Sequence, residues 1–77
     1  MQSYVVMFRK SASDKDVDKY VNEVQEQGGT IQQRYNADFL RGFAARMPPK
    51  YVEKLEQNKK HDGLIESIEP NQEIHIN

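Results

Sequence analysis

Tyr4-Val5-Val6-Met7-Phe8 decides the fold. The run is short, β-branched and aromatic, which is strand chemistry. Its near-continuous apolarity predicts a central strand with both faces at least partly covered. A strand of that kind needs neighbours on both sides and a layer packed against it, and the rest of the chain supplies them. Downstream, Arg9-Lys10-Ser11-Ala12 is a polar exit. Ser13 then has the chemistry of a helix N-cap, with Asp14 and Asp16 near the positive end of the dipole. Val17, Tyr20, Val21 and Val24 recur at the i, i+3, i+4, i+7 spacing of an amphipathic helix. Gly28-Gly29 stops that helix, one glycine being free to take the left-handed conformation past its end.

Thr30-Ile31-Gln32-Gln33-Arg34-Tyr35 reads as the second strand. Asn36-Ala37-Asp38 is a turn signal. Gly42-Phe43-Ala44-Ala45-Arg46-Met47 is the third strand, with Phe43, Ala45 and Met47 on one face. The stretch from Asn36 to Arg41 is too long for a two-residue turn, so a protruding loop is expected there, carrying Phe39 and Leu40. Pro48-Pro49 ends the strand and opens a second helix, expected from about Pro49 to Asn58 with Tyr51 or Val52 and Leu55 inward. Lys59 and Lys60 favour its C-terminal end, and His61-Asp62-Gly63 is a turn. Leu64-Ile65-Glu66-Ser67-Ile68 is the fourth strand, finishing near Glu69, because Pro70 lacks an N–H and should end pairing.

The order βαββαβ predicts an α+β, ferredoxin-like sandwich: an antiparallel four-stranded sheet, order 4-1-3-2, with both helices on one face. Residues 1–70 form this single domain. Residues 71–77 form an extended tail, in which Ile74, His75, Ile76 and Asn77 alternate apolar and polar. The other face of the sheet is free to meet a partner.

Composition narrows what that partner is. The chain has 77 residues, 11 Lys plus Arg against 12 Asp plus Glu, a formal net charge of −1, and no cysteine. That balance argues against a general polyanion binder, and no thiolate chemistry is available. No apolar run is long enough to cross a membrane. The Met1 start without a leader-like stretch points to a cytoplasmic location, with vacuolar contact for a partner resident there. An enzyme finds few materials: the histidines are His61 in a turn and His75 in the tail, and no Cys-His pair or phosphate loop exists. The scattered carboxylates read as solvated helix faces, so neither a metal nor a cofactor is expected. The alternative reading is a nucleic-acid module of the RNA-recognition-motif kind. Arg41-Gly42-Phe43-Ala44 matches the first half of that family's central signature, but Ala45 stands where an aromatic should stack a base.

A different resemblance covers nearly the whole chain. Tyr4–Phe8, Gly28-Gly29-Thr30-Ile31, Gly42-Phe43-Ala44 and Leu64–Glu69, in this order and spacing, resemble the subtilisin-propeptide-like inhibitors. That group includes the fungal proteinase A and B inhibitors and the propeptides of subtilases. The ending Glu73-Ile74-His75-Ile76-Asn77 is similar to the proteinase B inhibitor tail. The resemblance implies a monomeric inhibitor of a subtilisin-like serine protease that also serves as a folding helper. The sheet docks on paired surface helices of the enzyme. Gln72, Glu73, Ile74, His75, Ile76 and Asn77 occupy the cleft in the manner of a substrate, with Ile74 in an apolar subsite and Asn77 next to the catalytic serine. Glu66 or, preferably, Glu69 corresponds to an acidic residue that caps the N-termini of those helices. Pro70 and Asn71 depart from the family pattern, where acidic residues are frequent, so a second carboxylate contact is not implied.

Overall fold

In the computed structural model, which describes residues 1–71, the apolar first strand is paired on both sides. The elements are β1 (Gln2–Phe8), α1 (Asp14–Glu26), β2 (Thr30–Ala37), β3 (Leu40–Met47), α2 (Pro49–Asp62) and β4 (Ile65–Pro70). The sheet order is β2-β3-β1-β4, all antiparallel, so β1 and β3 are central as the sequence predicts. This is the ferredoxin-like βαββαβ arrangement, with both helices against the same face.

That face carries the core. Val6, Phe43, Ala45 and Met47 from the central strands are each 0% exposed, as are Val17 and Val24 of α1, Leu55 of α2 and Ile65 of β4. Phe8 packs its ring on Tyr20 and Phe43, at centroid distances of 5.5 and 6.1 Å. Val21, on the apolar stripe of α1, is half-buried, as is Ile31 of β2, and both pack against this cluster from its margin. Ala12, read as part of a polar exit, is buried, and Arg41 Nη1 donates to its carbonyl at 3.1 Å.

Both ends of α1 are made as its sequence directs. The Ser13 hydroxyl accepts from Asp16 N–H at 3.1 Å while the Asp16 carboxylate accepts from Ser13 N–H at 2.9 Å, a full capping box. Gly28, at φ 87°, takes the left-handed position; its N–H donates to Gln25 and Gly29 N–H donates to Val24, satisfying the last carbonyls.

Three expectations are corrected. The second helix does not end at Asn58: it runs to Asp62, so His61 and Asp62 are helical. Its last turn is held by Tyr20 Oη donating to Asp62 at 2.6 Å and by Leu64 N–H donating to Asp62 at 2.9 Å, and Gly63, at φ 67°, supplies the stop. Nor does Pro70 end the sheet. It lies opposite Tyr4, and Asn71 N–H still donates to Ser3 O at 2.9 Å. Pairs in an antiparallel ladder alternate between hydrogen-bonded and non-bonded. Ser3–Asn71 is a bonded pair, so Tyr4–Pro70 is not, and the missing N–H falls on the free edge. Finally, no long loop separates the second and third strands. They extend to Ala37 and Leu40, which pair directly, leaving only Asp38-Phe39 to turn the chain. Arg34 helps hold that extension by donating to the carbonyls of Tyr35 and Gly42.

Candidate functional site

The register sorts the strand residues onto two faces, because residues directly opposite share a side. Away from the helices lie three rows. One runs Ser67, Met7, Gly42, Tyr35; the next runs Glu69, Val5, Ala44, Gln33; the third joins Ser3, Arg46 and Thr30. The middle of this face is apolar and low. Val5 and Met7 are half-buried, and β3 contributes only Gly42 and Ala44 between the ridges of β1 and β2. Gly42 has to be glycine: a Cβ there would fall on the Val6 carbonyl oxygen. The rim is polar, with Arg46 and Glu69 exposed and the Ser3 hydroxyl hydrogen-bonded to the Gln32 side chain across the face.

Of the expected contact residues, Glu69 is exposed on β4, opposite Val5, at the end of the face where the described chain finishes. Asn71 is tied there to Ser3 by its N–H and, at 3.5 Å, by its side-chain amide. Glu66 is placed far from it. It lines an open cleft of about 270 Å³ at the opposite end of the sheet, with Phe8, Arg9, Lys10 and the Asp38–Arg41 hairpin end. Gln72, Glu73, Ile74, His75, Ile76 and Asn77 lie outside the described residues.

Among the described residues no charged side chain is buried, the hydroxyls of the buried Tyr20 and Tyr51 are hydrogen-bonded among the helices, and no three His, Cys, Asp or Glu side chains are grouped to hold a metal. The titratable groups that are shifted lie on the helices. Tyr20 is pushed up to about 12, first by burial and then by its hydrogen bond to Asp62, and Tyr51 is also raised, by burial and by Glu23. The Asp16 carboxyl is held below its usual range by the Ser13 backbone and hydroxyl. Among the described residues, the RNA-like match supplies no base-stacking platform. Phe43 and Ala45 both point under the helices, each 0% exposed. The sequence match could not show this, since four residues do not fix which parity faces out.

A sheet with one face covered and one presenting a low apolar centre inside a polar rim has the anatomy of a protein-binding module. The chain belongs to the peptidase inhibitor I9 family, whose model matches residues 3–77. It is 27% identical over 77 residues to protease B inhibitor 1 of Saccharomyces cerevisiae, spanning 99% of this chain and 97% of that protein. It is 36% identical over 66 residues to serine proteinase inhibitor IA-2 of Pleurotus ostreatus, spanning 86% of this chain and 84% of that one. By family the protein is an inhibitor of a protease and not an enzyme.

Proposed function

We propose that the protein inhibits a subtilisin-like serine protease, docking through its open sheet face and placing Gln72–Asn77 in the enzyme's cleft. The observation that carries this reading is the common end shared by Glu69, Asn71 and the apolar rows of the open face. A partner lying on Val5, Met7 and Ala44 therefore has the tail at its border. An extended segment there adds as a strand to the edges of a cleft, main-chain hydrogen bonds giving affinity and alternate side chains giving specificity. Ile74 suits an apolar subsite, His75 and Ile76 follow it, and Asn77 adjoins the catalytic serine and its oxyanion donors. Glu69 accepts from the orphan N–H groups at the N-terminus of an enzyme helix, where a carboxylate is favoured. Because such a face binds only the folded enzyme, it also acts as a folding helper for it.

The test is a titration of three proteins against a purified subtilisin, with a trypsin-like protease as control. The parent should inhibit the first and act far more weakly on the second, since Ile74 and Asn77 offer no basic anchor. Deleting Gln72–Asn77 should leave circular dichroism unchanged and sharply weaken inhibition, and Ile74→Asp should do the same by taking a charge into an apolar subsite. A folded deletion variant that inhibits as well as the parent would sink the substrate-like mechanism.

A further inference from the structure

At the end of the sheet away from Asn71, the β2–β3 connection breaks two local rules at once. Two-residue hairpins favour turns with positive φ, supplied by Asn-Gly or a glycine at the first position. Here the pair is Asp38-Phe39, and among the described residues only glycines have positive φ. A large aromatic also stands at the tip, 83% exposed, with Leu40 beside it at 41%. Neither feature serves the fold: Phe39 adds nothing to the core cluster, and the turn forgoes the geometry that matches strand twist. Local choices made against stability without a structural return mark functional positions.

The tip is continuous with the docking face of the preceding section. Leu40 has the parity of Gly42 and Ala44, and the next row along the sheet is Met7–Gly42–Tyr35. The apolar strip thus runs from Val5 through Met7 and Tyr35 to Leu40 and Phe39. The cleft beside the tip carries Arg9, Lys10 and Arg41 against Asp38 and Glu66. Arg41 is taken up by Asp14 at 3.3 Å and by the Ala12 carbonyl, so the charges left facing the cleft are mixed in sign and the apolar side chains set the contact. We infer that Phe39 is a second anchor on the protease, inserting into an apolar depression of the enzyme remote from its cleft. Seven strand steps separate Leu40 from Met47, which places this contact roughly 23 Å from the tail end of the face. The tail grips the active site and the hairpin tip holds the other end of the sheet, so both set the lifetime of the complex. This inference rests on the docking reading above.

The experiment compares full-length parent, Phe39→Ser, Phe39→Tyr and Asp38→Asn/Phe39→Gly against a purified subtilisin, reading the inhibition constant, the dissociation rate and the thermal midpoint. Phe39→Ser should raise the inhibition constant about tenfold or more, chiefly through faster dissociation, as truncating a buried aromatic anchor does. Phe39→Tyr should restore most of it. The Asn-Gly variant should melt higher than the parent and still inhibit poorly, a combination that a structural role for Phe39 does not give. A parent that fails to inhibit removes the docking reading and this one together. A parent that inhibits, with Phe39→Ser equal to it, removes only this one. Sedimentation provides the last control: a parent dimer that Phe39→Ser abolishes assigns the tip to a second copy of the chain and overturns the proposal.

Discussion

Phe43 and Ala44 are neighbours in sequence, and each is on the right side of the sheet for its size. Phe43 sits beneath the helices at 0% exposure and meets Phe8; Ala44 faces the other way, at the floor of the open face. The covered face is filled by large interlocking side chains, where volume decides energy. The open face is kept low along β3 by Gly42 and Ala44 and is flanked by the half-buried Val5, Met7 and Tyr35. Parity alone divides the core from the face proposed to dock. Substitutions one residue apart should therefore fail in different assays.

The sharpest break in that division is Phe43→Ala. Loss of a buried aromatic costs about 3–5 kcal/mol, a large part of what a small domain without disulfide or metal holds. Urea denaturation should show the loss directly. With active protease present, binding pulls the chain toward the folded state while the unfolded fraction is digested, so the variant should inhibit only temporarily. Equal lifetimes of variant and parent in the presence of the enzyme would remove that coupling.

The open face should answer in the opposite way. Met7→Glu puts a charge in the centre of the surface proposed to dock, where desolvation without a partner is costly. Inhibition should weaken by about a hundredfold, or roughly 3 kcal/mol, while the denaturation midpoint moves by less than about 1 kcal/mol in stability, as for surface changes. A Met7→Glu protein that is unfolded, or one that inhibits normally, would show that the two faces are not separated as the register places them.

Much of this was legible in the sequence because the signals were local. The apolar run Tyr4–Phe8, the Ser13 cap, the valine stripe of α1 and the glycine stop each act within a few residues, and all stand where expected. The misses came from distant partners. Asp62 is helical because Tyr20, in another element, holds its carboxylate. Pro70 is tolerated because the register with β1 turns its nitrogen outward, which no proline rule read along one strand can reveal. The short Asp38-Phe39 turn was hidden because Asn36 and Ala37 are weak strand formers, drawn into the ladder by β3. For the site, Glu69 was an expectation from the resemblance alone, and the structure adds only its place: exposed at the border of the open face. The rows of that face, and the exposed tip next to them, required the register.

A smaller effect is expected at the end of α1. Ser13→Ala removes the acceptor for Asp16 N–H and should cost about 1 kcal/mol, with inhibition unaltered because the cap lies outside the open face. The partner carboxylate adds a pH signature. The Asp16 pKa is lowered in the fold from 3.8, so its contribution is complete above that value and fades as pH falls through the folded-state pKa. Chemical denaturation from pH 6 down to pH 2 should show a steeper acid loss in the parent than in Ser13→Ala. The Ser13 N–H, the larger cause of the Asp16 shift, is kept in the variant, so parallel curves would mean that the hydroxyl adds nothing to it in solution.

The smallest effect belongs to the polar clasp between the helices, and it sharpens the comparison by leaving the open face untouched. Tyr20 Oη donates to Asp62 at 2.6 Å and accepts from Asn58 at 3.3 Å. Tyr20→Phe removes both bonds and keeps the ring on Phe8. Asp62 stays exposed and still accepts from Leu64 N–H, so no buried group is orphaned. The cost at neutral pH should be at the low end for a hydrogen bond, about 0.5 kcal/mol. The alkaline side is more telling. The Tyr20 pKa rises from 10.0 to about 12, first through burial and then through Asp62. A raised folded pKa stabilises below the unfolded value and is lost as pH climbs through the folded one. The parent should lose stability between about pH 10 and 12. Tyr20→Phe should do so less steeply, the remainder coming from Tyr51, which is raised by burial and by its contact with Glu23. Identical alkaline slopes for the two proteins would place the whole effect on Tyr51 and remove Tyr20 from the account.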